Sequence, residues 1–160
     1  MIFFGVDPGT AVTGYGVIRT IDNTMKYEGG GVIKTVPRSS LSDKLVHIYD
    51  NLCSKMQEYK PDCVCIEQQF YAKNIHSTMV LGQVRGVALL AAKKSGAQVV
   101  EFSPREIKKA VAGNGNAAKS QVEYMVKILL RLPDQKMHAD MYDALAACVC
   151  AFNNYARVRW

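Results

Sequence analysis

The stretch that decides the fold is IFFGVDPGT, residues 2–10. A short apolar run ends in one carboxylate, Asp7, and Pro8 and Gly9 follow at once. Apolar residues followed by two breakers describe a buried strand at the point where it surfaces. Asp7 therefore belongs to the rim of a core. Two roles are open to it from this stretch alone: capping the turn at residues 8–9 through its side chain, or joining other carboxylates in a site. Residues 63–67 (CVCIE) have the same grammar, an apolar run ended by Glu67. If the two strands are adjacent and parallel, both carboxylates emerge at one carboxyl edge of the sheet, where α/β proteins place their sites.

Working outward, residues 14–21 (GYGVIRTI) read as a second strand, Asp22 and Asn23 as a turn, and residues 25–36 as a third strand. Strands joined this tightly form an antiparallel meander. Gly29, Gly30 and Gly31 interrupt the third strand and predict a bulge or kink there. Leu41, Leu45, Ile48, Leu52 and Met56 follow helical spacing, and that helix must stop before Pro61. Asn74 can cap a long helix over 75–94, on which Gly82 and Gly86 allow close packing against the sheet or against a second subunit. Residues 98–102 (QVVEF) are the fifth strand. Ser103, Pro104 and Glu106 form a capping box that opens a helix, and Gly113 ends it. Residues 117–132 resume helically up to Pro133, and a last helix runs from near His138 to about Asn153, followed by a loosely held basic and aromatic tail at about 155–160. The expected architecture is one α/β domain over 1–160. Its mixed five-stranded sheet has three antiparallel strands, then parallel ones, with helices on both faces.

A chain of 160 residues can bury a sizeable core, and 49% hydrophobic with 21% charged residues is ordinary globular composition. No apolar run approaches the length of a membrane span. The run at 2–6 is too short for a signal-peptide core and lacks a basic leader. A cytoplasmic protein with no membrane partner is expected. The five cysteines are odd in number and show no C-x-x-C spacing, so Cys63 with Cys65 and Cys148 with Cys150 read as reduced core residues rather than metal ligands. A net charge of +6 suggests a polyanionic partner.

The last helix adds Asp140 and Asp143, three residues apart and so on one helical face. By the 100° step, Met141, Leu145, Cys148 and Phe152 form a stripe roughly 140° away. Ala144, Ala147 and Ala151 continue the aspartate face with small side chains, which predicts close approach of that face to the sheet. Singly, Asp140 suits a helix N-terminus, Asp143 a surface and Glu67 a solvated strand end. Jointly, four carboxylates in a basic protein call for hard divalent cations, and oxygen-only ligands point to Mg²⁺ or Mn²⁺. A pair of such ions can activate water and stabilise the leaving oxygen in phosphodiester hydrolysis.

Several segments together carry a family resemblance: GVDPGTAVTGYGV (5–17), IEQQF-x-AKN (66–74), LGQVRGV (81–87), SPREIKKAVAGNGNAAKSQV (103–122) and D-x-x-D-A-L-A (140–146). In order and spacing they resemble RuvC-type Holliday junction resolvases, over essentially the whole chain. The resemblance implies a ribonuclease-H-like fold and a homodimer. It further implies Mg²⁺-dependent nicking of two opposed strands in four-way junction DNA, with Mn²⁺ able to substitute and two ions per active site. The RuvA–RuvB branch-migration complex is the implied partner. Carried over by position, the catalytic and metal-binding acids are Asp7, Glu67, Asp140 and Asp143. Phe70 matches an aromatic that acts at the junction centre, and Tyr71 either stacks on a base or buries in the core. Lys73 and Arg85 are phosphate contacts at most. Lys108 and Lys119 match basic residues used near the scissile phosphate. Lys119 also lies in the first turn of a helix, where backbone N–H groups favour an anion. His138 is near the aspartate pair but, placed in a helix, does not share the face of Asp143, and is read as incidental.

Two other classes compete. GNGNAAKS (113–120) nearly matches a phosphate loop, with Ala118 in place of the last glycine, but follows a helix where such loops follow a strand. DPGT (7–10) resembles the phosphate motif of actin-like and sugar-kinase ATPases, which are longer and two-lobed. The second class is a non-catalytic junction-binding protein that keeps only the fold, and the intact acid set argues against it.

Overall fold

The computed structural model describes residues 1–68, 74–133 and 137–157. β1 (Ile2–Asp7) is the central strand of a five-stranded sheet. It pairs antiparallel with β2 (Val12–Ile21), which pairs antiparallel with β3 (Thr24–Lys34). On its other side β1 pairs parallel with β4 (Cys63–Glu67), and β4 pairs parallel with β5 (Gln98–Phe102), giving the order β3-β2-β1-β4-β5. Both faces of β1 are covered, which is why its sequence is continuously apolar. Phe3 points into a cluster with the later helices, and Phe4 and Val6 point into a second cluster on the opposite face.

The hairpin between β2 and β3 is the expected two-residue turn, with Asp22 and Asn23 both at positive φ (50° and 59°). The bulge falls elsewhere than expected. Val17 pairs with Gly29 and Ile18 with Tyr27, so Glu28 is the extra residue and the three glycines stay in register. The glycines make room instead: side chains there would collide with the Tyr59 hydroxyl, with Met141 and with the Tyr15 ring. β3 also stops at Lys34, two residues early, and just beyond it Thr35 donates its hydroxyl to Thr10 O at 2.8 Å and its N–H to Ala11 O at 3.1 Å.

One face of the sheet carries α1 (Leu41–Tyr59) and α2 (Ile75–Lys94). α1 is capped by Ser40 and buries Ile48, Leu52 and Met56. α2 is capped by Asn74, whose Oδ1 accepts from Ser77 N at 2.8 Å, as its sequence predicts. Its buried residues are Val84, Ala88, Ala91 and Ala92, and side chains added at Gly82 or Gly86 would meet nothing within 4 Å. The two glycines thus face away from the sheet. The expectation about apolar length needs correcting as well, because α2 has 20 residues and an 18-residue window of mean hydropathy 1.2, which by length and composition is enough to cross a membrane. In the fold, however, α2 packs on the sheet and its Arg85 ion-pairs with Glu101 of β5 at 2.5 Å.

The other face carries α3 (Pro104–Ala112), α4 (Lys119–Leu130) and α5 (Ala139–Arg157). α3 has the full capping box between Ser103 and Glu106, and ends at Gly113 with φ 75°. α4 starts two residues later than its apolar pattern suggests, with Ala118 at the N-cap. α5 runs four residues further than expected, and Tyr155 lies edge-on to Phe3 at 6.0 Å, so the first part of the supposed tail is ordered helix.

α5 lies between the sheet and α3 with α4, and Ala144 through Ala151 are all buried. The alanine face does reach the sheet, but so does the stripe of larger side chains. Leu145 packs against Gly16, Met141 against Gly30, and the Cys148 thiol lies 3.4 Å from Gly16 O. The room comes mostly from the sheet. A Cβ at Gly5 would overlap the Ala144 carbonyl, and one at Gly14 would overlap the Asp140 carbonyl.

Candidate active site

Val6 of β1 pairs with Ile66 of β4, so Asp7 and Glu67 leave the sheet side by side at its carboxyl edge. The turn after Asp7 is held from below. Thr13, fully buried, donates its hydroxyl to Gly9 O at 2.8 Å and accepts from Gly9 N at 3.3 Å. Gly14 pairs with Asp7 across the ladder, and its missing side chain lets the first turn of α5 touch down beside Asp7. The result brings Asp7, Asp140 and Asp143 together, with one carboxylate oxygen from each lying within 4.8 Å of the others. Glu67 joins them through a side-chain hydrogen bond with Asp7. The four acids line a cleft of about 400 Å³ that Pro104, Ile107 and Lys108 of α3 and Lys119 and Val122 of α4 complete.

Burial and crowding set the electrostatics. Asp7 is only 7% exposed, and its carboxyl is pushed up to about 8 by burial first, then by the charges of Glu67, Asp143 and Asp140. Burial and then Asp143 push Glu67 up to about 7. Asp143 is raised too, by burial, against the opposing pull of Lys119. The Lys119 ammonium is 2.5 Å from Asp143 Oδ2; burial works against its charge, but the bond to Asp143 and the nearby Asp7 and Asp140 outweigh it and raise its pKa. These acids strain against their own charge, and their donors are all hard oxygens. Asp7, Asp140 and Asp143 could therefore hold a divalent cation, with Glu67 adjacent.

The other basic candidates separate. Lys108 lines the cleft, and its charge acts on Glu67, opposing the rise of that carboxyl's pKa. Arg85 does not face the cleft as a free cation, since its guanidinium bonds Glu101, the Nε also at 2.7 Å. Phe70, Tyr71 and Lys73 lie outside the described residues. His138 requires a correction. It precedes α5, so helical geometry does not govern it, and its Nδ1 lies 3.0 Å from Asp140 Oδ2. Of the residues that hold the site, Thr13 and Gly14 lie inside the 5–17 segment but are not read there as its supports, and Thr35 lies outside every quoted segment. All five cysteines are free; burial raises Cys65 and pushes Cys150 up to about 12, while the bond with Cys65 lowers Cys63.

The phosphate-loop lookalike connects two helices, and Arg105 folds over Gly115 in it. No strand leads into it, so it lacks the frame of a nucleotide site. A larger hollow of about 610 Å³, between the C-terminal ends of α1 and α2, is lined by Tyr49, Met56, Lys60 and Lys94 and shares no residue with the acid cleft.

Comparison with known proteins agrees with this geometry. The family model described as crossover junction endodeoxyribonuclease RuvC matches residues 3–151. The chain is 46% identical to the crossover junction endodeoxyribonuclease RuvC of Pseudoalteromonas atlantica over 93% of this chain and 85% of that one. It is 42% identical to that of Desulforamulus reducens, over 94% and 92%. Its structure is similar to Thermus thermophilus RuvC in complex with Holliday junction substrate, with TM-score 0.89 and 31% identity over 98% and 95% of the two chains. The sheet order and layers are thus those of the ribonuclease-H-like fold. Motifs, topology and relatives agree along nearly the whole length, and the chain belongs to the RuvC family of crossover junction endodeoxyribonucleases.

Proposed function

We propose that this protein is a structure-specific endonuclease, a single nuclease domain that resolves four-way DNA junctions by paired phosphodiester hydrolysis. The observation that carries this reading is the meeting of acids from β1, β4 and α5 in one cleft with two lysines on its wall, in a member of this family. Asp7, Glu67, Asp140 and Asp143 would hold Mg²⁺, two ions per site, with Mn²⁺ as a substitute. When bound, such ions activate water and stabilise the departing oxygen.

The chain's own groups divide the remaining work. Asp7 and Glu67 are fixed by the sheet ladder, and Asp140 and Asp143 by a helix seated on glycines, so the four donors need little reorganisation. Lys108 and Lys119 offset the charge of the strand being cut. Phe70 would stack at the junction centre, Tyr71 would stack on a base or bury in the core, and Lys73 would contact phosphate at most. Two opposed nicks need two copies related by a two-fold axis, so a homodimer belongs to the proposal. The outer stripe of α2 supports it. Ile75, Met79 and Leu90 are 81%, 63% and 54% exposed there, with Gly82 and Gly86 between them. A cytoplasmic location and work with the RuvA–RuvB complex complete the reading by family likeness.

Incubation with a synthetic four-way junction and Mg²⁺ tests it. Symmetric nicks are expected; binding without nicks would leave the non-catalytic reading standing. Asp7→Asn should abolish cleavage while junction binding survives. Sedimentation should give a dimer.

A further inference from the structure

We infer that Lys119 is a conditional DNA contact: with no divalent cation bound, its ammonium is engaged by Asp143, and a cation that takes Asp143 releases it to the phosphate backbone. The inference rests on the nuclease reading and adds to it an internal coupling between metal and DNA.

The bond itself joins two elements. Lys119 is the first residue of α4, and it reaches across the cleft to Asp143 Oδ2 on α5, 2.5 Å away. The two ends of the pair are unlike. The Lys119 side chain is 60% exposed and Asp143 only 23%. The lysine can swing outward into solvent at little solvation cost, whereas Asp143 sits on a helix seated in the fold. Asp143 is also one of the three acids whose oxygens converge within 4.8 Å. A divalent cation on that carboxylate would stand a few Å from the ammonium and repel it with twice unit charge. The freed ammonium would then sit at the rim of the acid cleft, where it can meet a phosphate of the DNA backbone.

Lys108 provides the contrast. It lines the same cleft and its charge reaches Glu67, but among the described residues it is bonded to no acid, so no ion pair has to break before it meets DNA. Two lysines on one wall would thus act differently, one constantly and one only after the metal arrives. Linkage makes the effect reciprocal: DNA that captures Lys119 vacates Asp143 and favours the cation.

The test is junction affinity, not cleavage. Anisotropy of a labelled synthetic four-way junction is measured with the wild type and Lys119→Gln at fixed ionic strength, in EDTA and in Ca²⁺. Lys119→Gln should match the wild type within about twofold in EDTA, and bind roughly fivefold more weakly in Ca²⁺, the scale of one charge-assisted contact at an exposed site. Equal loss in both conditions makes Lys119 a permanent contact and overturns the inference, as does no loss in either. A second pair of variants works without metal. Asp143→Asn and Asp140→Asn each remove one charge from the cleft, but only the first frees the ammonium. In EDTA, Asp143→Asn should bind the junction several-fold more tightly than Asp140→Asn, and equality overturns the coupling. A wild type that binds no junction in either condition defeats the nuclease reading instead.

Discussion

Asp7→Asn should stabilise the metal-free protein, and by more as the pH rises. The Asp7 carboxyl has an ordinary value of 3.8 and is pushed up to about 8 in the fold. The folded state therefore holds a proton that the unfolded chain releases, so stability falls as pH rises between those two values. At pH 7 the gap corresponds to about three units, or about 4 kcal/mol at 1.36 kcal/mol per unit. Glu67 shares the burden through its hydrogen bond with Asp7, which leaves roughly 2 kcal/mol to the aspartate as a working figure. A domain of this size gains about 2–4 °C per kcal/mol. Thermal melts in EDTA should therefore place Asp7→Asn about 4–8 °C above the wild type at pH 7, and level with it near pH 4. Adding Mn²⁺ should stabilise the wild type and close the gap, because the cation takes over the charge that the variant lacks. A difference that stays constant with pH, or a variant less stable at pH 7, would refute this account of the cleft.

Three further perturbations probe what holds the acids. Thr13→Val keeps the shape of a fully buried side chain but strips both hydrogen bonds from Gly9; it should lower stability by about 1–3 kcal/mol, read by denaturant melts. Gly14→Ala drives a Cβ into the Asp140 main chain, so it should cost about 1–3 kcal/mol and also reduce junction cleavage, since α5 must lift. Arg85→Ala breaks the half-buried pair with Glu101; it should cost about 1 kcal/mol and leave junction affinity unchanged, whereas lost affinity would restore Arg85 as a DNA contact.

The parts of the fold that were legible share one property: a local chemical reason. Asp7 and Glu67 each end an apolar run, Asn74 and Ser103 each stand where a helix needs a cap, and Asp22 with Asn23 tolerates positive φ. Those signals survive folding because nothing distant competes with them. The features that were missed depend on what packs across. The three glycines of β3 read as a bulge because nothing in their own strand reveals that Tyr59, Met141 and Tyr15 will press on them. The alanine face of α5 reads as the one that approaches the sheet, and that the stripe of larger side chains reaches it too is not legible, because helical periodicity does not register a helix covered on every side. Arg85 looked like any basic residue near a nuclease site until Glu101 appeared beside it. His138 reads as incidental because helical geometry turns it from the face of Asp143, whereas it precedes α5 and meets Asp140 instead. At the site, the acids themselves were legible and their supports were not. Thr13 and Thr35 hold the turn through hydroxyls whose partners, the main-chain oxygens of Gly9 and Thr10, no sequence spacing reveals.

The seating of α5 on Gly5 and Gly14 has a consequence for how such a protein can change over time. Main chain rests on main chain there, at the Ala144 and Asp140 carbonyls. A contact of that kind has no rotamer to adjust and no side-chain volume to drift. Substitutions on the outward side of α5, against α3 and α4, can accumulate without lifting the aspartates from the strand ends. The scaffold is thereby insulated from its own variation, and the four acid positions could be given other ligand types for another metal while their separations stay as the backbone sets them.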